Sequence, residues 1–189
     1  MNKRWHMLVW MWLFLTASSA QAGNIPELVT DRPDFTESSE VVPMGFLQLE
    51  AGSTFDWNSS GSSLAVGEVL FRIGLGHISE LRLGVNSYSL GFGSTLSHGM
   101  EDSSLGFKIK LLNGRGAIPV TALIVQTSLP TGNNGSVAGL QPGFKLCLAW
   151  DLNTRLALGV NLNYAWQLDG LKRFHELSGS MSLGIGLTE

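Results

Sequence analysis

Leu156-Ala157-Leu158-Gly159-Val160-Asn161-Leu162-Asn163-Tyr164-Ala165-Trp166 is the stretch on which the fold turns. Large apolar residues occupy its even positions. Asn161 and Asn163, with Arg155 just ahead, hold the odd ones. Strand side chains point alternately to opposite faces, so this is a strand with one apolar and one polar face. It is also long. A tilted strand that crosses a bilayer needs about 9–11 residues, whereas strands of soluble proteins usually have about 5–6. Length and alternation together predict a strand that crosses a membrane.

The same pattern recurs on both sides of this stretch. Leu47, Leu49, Ala51, Phe55 and Trp57 alternate with Gln48, Glu50, Thr54 and Asp56. Ala65, Val69, Phe71 and Ile73 alternate with Glu68 and Arg72, and Leu81, Leu83 and Val85 with Arg82 and Asn86. Leu105, Phe107, Ile109 and Leu111 alternate with Lys108 and Lys110, and Phe144, Leu146, Leu148 and Trp150 with Lys145. Leu177, Met181, Leu183 and Ile185 alternate with serines. Residues 118–128 are apolar on both parities, which leaves their faces open. The expected strands are 46–56, 64–75, 80–90, 104–112, 118–128, 141–151, 154–166 and 176–187. Longer loops at 57–63, 91–103, 129–140 and 167–175 alternate with short turns at 76–79, 113–117 and 152–153, as in outer-membrane barrels. The expected fold is all-β, an antiparallel transmembrane β-barrel with about eight strands visible.

Composition agrees. Of 189 residues, 44% are hydrophobic and only 14% charged, against roughly 25% charged in soluble domains. A net charge of −3 offers no basic field for nucleic acid. The single cysteine, Cys147, can form neither an internal disulfide nor a cysteine metal cluster. Residues 1–22 read as a signal peptide: Lys3 and Arg4, an apolar run from Met7 to Thr16, then Ala20-Gln21-Ala22 for cleavage. Residues 23–45 form a polar lead segment expected in the periplasm, and 46–189 the barrel strands. The expected location is the outer membrane. The expected partners are its lipid, the barrel-assembly machinery and, as cargo, small apolar molecules.

The lead motif is Leu28-Val29-Thr30-Asp31-Arg32-Pro33-Asp34-Phe35-Thr36-Glu37-Ser38. With Val42-Pro43-Met44-Gly45-Phe46-Leu47-Gln48-Leu49-Glu50-Ala51-Gly52 and the mid-chain turn Ser128-Leu129-Pro130-Thr131-Gly132, it resembles the outer-membrane transporter family named after the meta-pathway of phenol degradation. The resemblance implies a barrel that admits hydrophobic or aromatic compounds, with no catalytic residues. It also implies a chain that continues past Glu189. A weak repeat points the same way: Ile78-Ser79-Glu80-Leu81 matches Asn153-Thr154-Arg155-Leu156 in type, and Gly186-Leu187-Thr188-Glu189 stops where such a turn would launch another strand. A complete eight-stranded barrel is the alternative.

Two features concern function. The inward parity carries Gln48, Glu50, Glu68, Arg72, Arg82, Asn86, Lys108, Lys110, Lys145, Arg155, Asn161 and Asn163, which would line a lumen. This is either a path for solute or a filled interior of paired charges, as small barrels have. Asp31, Arg32, Pro33, Asp34, Phe35 and Glu37 of the lead motif either form a plug that meets Arg72, Arg82, Lys108, Lys110 and Lys145, or belong to a solvated leader. Trp57, Tyr88, Trp150, Tyr164 and Trp166 near strand ends suggest an interfacial aromatic girdle.

No cofactor or enzyme activity is expected. Gly91-Phe92-Gly93 and Gly132-Asn133-Asn134-Gly135 lack the Lys and helix of a phosphate cradle. His98, Glu101 and Asp102 in a loop are read as solvated rather than as metal ligands. The functional expectation is therefore passage of small hydrophobic or aromatic compounds. The alternatives are a structural or surface-interaction barrel with a filled interior and a soluble periplasmic ligand-binding barrel. The last would require an apolar interior and a polar exterior.

Overall fold

A computed structural model describes residues 25–31, 36–58, 61–93, 98–133, 139–169 and 172–187. The leader at 1–22, and Arg32, Pro33, Asp34 and Phe35 of the lead motif, lie outside the described residues. The ten strands are β1 (Leu47–Asn58), β2 (Gly61–Gly74), β3 (Ser79–Val85), β4 (Tyr88–Gly93), β5 (His98–Met100), β6 (Ser103–Arg115), β7 (Ile118–Leu129), β8 (Gln141–Asn153), β9 (Leu156–Asp169) and β10 (Lys172–Ile185). All pairings are antiparallel, between neighbours in a meander. The described residues contain no helix. The sheet curls into a half-barrel with β1 at one edge and β10 at the other.

The ten strands trace the eight expected ones, with two corrections, the second being β5, which lies in the loop expected over 91–103. The stretch expected as a single strand over 80–90 is broken at Asn86 and Ser87 into β3 and β4. Its register on β2 does not change across the break: Val85 faces Val69 and Tyr88 faces Val66. β5 and β6 likewise continue one register across Glu101 and Asp102. The cause of the first break lies in β2. Gly52 pairs with Glu68 and Ser53 with Val66, so Gly67 is the extra residue of a bulge, and its φ of 73° suits glycine. A bulge bends and twists its strand locally, which interrupts the ladder on the far side as well.

The connections differ from expectation too. The strands run further into the loops than the alternation indicated: β1 ends at Asn58 with β2 starting at Gly61, and β9 ends at Asp169 with β10 starting at Lys172. The contrast between long loops and short turns is correspondingly reduced. Hairpin geometry limits the other end. β6 and β7 join through Gly116 and Ala117, with Gly116 at φ 58°, the signature of a type II′ hairpin turn.

Packing follows parity. On the convex face Leu49, Phe55, Leu162 and Met181 are 58%, 63%, 54% and 73% exposed. On the concave face Arg72, Glu80 and Lys108 are at most 1% exposed. Residues 118–128, whose faces the sequence left open, turn Ala122 and Ile124 inward beside Cys147 to make a small apolar cluster. A sheet alone cannot bury these groups on its concave side. Described residues of the lead segment do so, with Asp31, Glu37, Ser39 and Val42 buried against the wall.

Candidate functional site: a carboxylate segment on a cationic wall

Each strand register places one row of this wall. Glu80, Lys108, Ile124, Lys145 and Asn163 stand side by side across β3, β6, β7, β8 and β9. Arg72 and Arg82 are direct partners in the next row. The rows thus bring together basic residues far apart in the chain.

The lead segment supplies the acids. The Asp31 carboxylate accepts from Lys108 Nζ at 2.9 Å and from Arg82, with Arg72 Nε at 3.5 Å. The Ser38 N–H and hydroxyl donate to it at 2.9 and 2.8 Å. Asp31 also donates its own N–H to the Glu50 carboxylate at 3.0 Å. Burial by itself would raise the Asp31 pKa. Lys108, Arg82 and Arg72 outweigh it and hold the carboxyl below the ordinary carboxylate range. Glu37 accepts from Arg82 Nη2 at 2.8 Å and from Lys145. Glu40 accepts from Lys110 at 2.7 Å.

Backbone groups complete the docking. The Val29 carbonyl accepts from Arg72 Nη1 at 2.8 Å and from Gln48 at 3.0 Å, and the Glu40 carbonyl accepts from Arg72 Nη2 at 3.1 Å. The Val42 N–H donates to Glu80 at 2.7 Å. The Asn161 amide, oriented by its partners, donates to the Glu37 carbonyl at 3.1 Å and accepts the Glu37 N–H at 2.7 Å. Gly74 leaves room for the segment, since a Cβ there would fall 2.0 Å from the Pro43 carbonyl oxygen.

The twelve residues proposed for the lumen fall into three groups. Gln48, Glu50, Arg72, Arg82, Lys108, Lys110, Lys145 and Asn161 lie against the lead segment. Glu68 and Asn163 lie elsewhere on the wall: Glu68 accepts from Thr54 at 3.0 Å, and Asn163 donates to Ser178 at 3.4 Å. The other two stand outside the strands. Asn86 is in the β3–β4 break, where its amide donates to the Glu101 carbonyl and to Thr131. Arg155 is exposed in the turn before β9.

Arg155 also corrects the turn repeat. Its counterpart Glu80 is a wholly buried wall residue, bonded to Arg72 Nε at 2.8 Å and Arg82 Nη1 at 3.0 Å. Sequence reasoning left Glu80 out of the lumen residues, although it heads the strand expected over 80–90 and shares the parity of Arg82. It missed Glu40 as well, which lies just past the lead motif.

Two cavities flank the docked segment. One, of about 200 Å³, lies toward the loop end and touches Glu37, Arg82, Lys145, Ser104 and Gln126. The other, of about 260 Å³, lies toward the turn end and touches Val29, Glu40, Val42, Gln48 and Arg72. At the loop end the turn at 128–132 is tied to its neighbours. The Gly132 N–H donates to Asp102 at 2.8 Å and the Asn133 N–H to the Met100 carbonyl at 2.8 Å. A Cβ on Gly132 would sit 2.6 Å from that carbonyl oxygen, so the turn needs glycine there.

Residues 30–189 match the protein family described as "Putative MetA-pathway of phenol degradation". The chain belongs to this phenol-degradation family. The match takes in the docked segment from Thr30 onward and every strand. No curated protein and no solved structure matches the chain. Family membership therefore accounts for the shared opening motif and turn, and the wall geometry described above adds the chemistry.

The aromatic residues of the phenol-degradation family chain are distributed unevenly. Trp57 is strongly exposed at the end of β1. Tyr164, Trp166 and His175 form a convex cluster near the β9–β10 hairpin, with Tyr164 Oη 2.7 Å from His175 Nδ1 and Arg173 4.5 Å over the Trp166 ring. Trp150 donates to the Ala117 carbonyl at 3.0 Å, at the opposite end of the strands.

Proposed function

We propose that the chain is exported with loss of residues 1–22, is inserted by the barrel-assembly machinery and resides in the outer membrane. There it passes small hydrophobic or aromatic compounds by non-covalent means, without catalysis. The observation that carries this reading is the inversion of its two faces. Large apolar side chains cover the convex side and stay exposed, while ionic side chains are buried on the concave side. Water disfavours so extended an apolar surface, whereas lipid requires it. The same inversion argues against a soluble ligand-binding barrel, whose apolar residues would point inward. Cell fractionation tests location: recovery in the soluble periplasmic fraction defeats the proposal. Uptake of neutral and ionised aromatics into liposomes holding the full-length protein tests passage, with accelerated entry expected.

A second reading has its own support. The wall cations are all engaged by carboxylates, which favours a structural barrel with a filled interior. It predicts no entry of any tested solute into those liposomes, with membrane insertion intact.

A further inference from the structure

The five basic side chains of the wall are held in two different ways. Arg72 and Arg82 each keep a partner within the wall, Glu80, at 2.8 and 3.0 Å. Lys108, Lys110 and Lys145 do not. Among the described residues their carboxylates come only from the lead segment: Asp31, Glu40 and Glu37. With that segment withdrawn, Glu50, Glu68 and Glu80 would remain against the five cations, a surplus of two positive charges. An ammonium group left in a recess without a counter-ion is costly, so the bare wall favours anions.

The surface between the lysines narrows the choice of anion. Ile124 stands between Lys108 and Lys145 in one row, and Ala122 stands between Lys110 and Cys147 in the next. Ala122, Ile124 and Cys147 are wholly buried and form one apolar cluster. An apolar floor with ammonium groups at its rim suits a flat apolar body bearing one negative group. The loop-side cavity of about 200 Å³ already reaches Glu37, Arg82 and Lys145, with Glu68, Glu101 and Asp102 also on its lining, so a small solute can approach from that side, past carboxylates, to the ammonium groups.

We infer that this recess is a binding site for small aromatic carboxylates or phenolates, and that Asp31 and Glu37 occupy it as a built-in competitor. The lead segment and the solute exchange at the same ammonium groups, and the solute's ring takes the apolar floor. The biological use of the site rests on the transport reading. Binding itself is measured apart from uptake, so the two can fail separately.

Calorimetry on the mature chain in detergent micelles tests the inference, with benzoate as probe and benzyl alcohol as its neutral counterpart. In the double variant Asp31→Asn, Glu37→Gln, benzoate should bind about tenfold or more tighter than in the wild type, as expected when charge-assisted bonds become available. Benzyl alcohol should bind no better. Adding Lys108→Gln and Lys145→Gln should remove the gain.

The wild-type chain provides a second measurement. Glu37 is held by Arg82, Lys145 and Asn161. Benzoate that takes the two cations should therefore release the lead segment and speed its limited proteolysis, and benzyl alcohol should not. A benzoate-specific response in either measurement supports the site; equal responses to both probes throughout overturn it. If the double variant does not fold, limited proteolysis of the wild-type chain decides alone.

Discussion

The wall formed by β2, β3 and β6 and the terminal strand β10 share one sequence pattern and have opposite environments. Both alternate apolar and polar residues. On the wall, Arg72, Glu80 and Lys108 are almost fully buried. On β10 every residue whose side chain is described is exposed except Ser180, which is part-buried and touches Thr36 of the lead segment at 3.0 Å. The difference lies in the third layer. Where the lead segment lies over the sheet, concave polar groups become an ionic network. On β10, which the described residues of the segment meet only at Ser180, the same parity is Ser178, Ser180 and Ser182, with Lys172 and Glu176 exposed toward the hairpin. Charge in this protein is concentrated where a covering segment brings its complement.

The largest effect is expected from removing the central carboxylate. Asp31→Asn leaves Lys108 buried beside an uncharged amide and takes one acid from both arginines. Breaking a buried pair from one side typically costs about 3–5 kcal/mol. The docked state should weaken by that order, limited by the free energy of docking itself. The readout is faster alkylation of Cys147, with the far-ultraviolet β signal retained. An unchanged alkylation rate would show that Asp31 does not hold the segment down.

A steric break should come next. Gly74→Val places methyl groups where the Pro43 carbonyl now lies, so the segment must lift near Val42 and lose its bond to Glu80. Overpacking of this kind costs about 1–3 kcal/mol. Gly179→Ala on β10, where a Cβ would sit 3.4 Å from its nearest neighbour, should leave docking unaffected. Comparing limited proteolysis of the lead segment in the two variants sharpens the contrast between covered and uncovered sheet.

Acid should act in a defined direction. The Asp31 carboxyl is held below its unfolded value, so its contribution to docking is complete above about pH 4, the ordinary aspartate range. It declines progressively as pH falls below that range and is gone only once pH has passed the lowered value. A spin label at Thr30→Cys, in a Cys147→Ser chain, should stay immobilised at pH 4 and gain mobility only in stronger acid. Release near pH 4 or above would contradict the assignment of Asp31 as the anchoring charge.

The smallest effect is expected on the uncovered side. Arg173→Gln removes a cation over the Trp166 ring and should cost about 0.5–1 kcal/mol, as exposed cation–π contacts do. Urea unfolding in micelles would measure it, with no change in alkylation of Cys147.

Much of the fold could be read from the residues because alternation is a local property. A strand turns successive side chains to opposite faces wherever it lies, so Lys108 and Lys110 had to share one side and Phe107 and Ile109 the other. A polar and an apolar parity along each such strand follow from that; the pairing into one sheet and the concave side are seen in the structure. Where parity was uninformative, as over 118–128, the sequence was silent, and the structure turned Ala122 and Ile124 inward. Where a turn motif was compared with another by type alone, it misled. Glu80 and Arg155 look equivalent in sequence, yet one is bonded to two arginines and the other is exposed.

The sequence by itself therefore determined most of the strands, which side chains share a face outside 118–128, and the signs of the charges on the polar parity. Only the tertiary structure decided that Asp31 meets Lys108 and Arg82, that Glu37 meets Lys145 and that Glu40 meets Lys110. The physical reason is distance along the chain. Alternation is set by each residue's own backbone, whereas these pairs join residues 51 to 108 positions apart. They form only when the sheet's curvature and the path of the lead segment bring a carboxylate to a particular ammonium group.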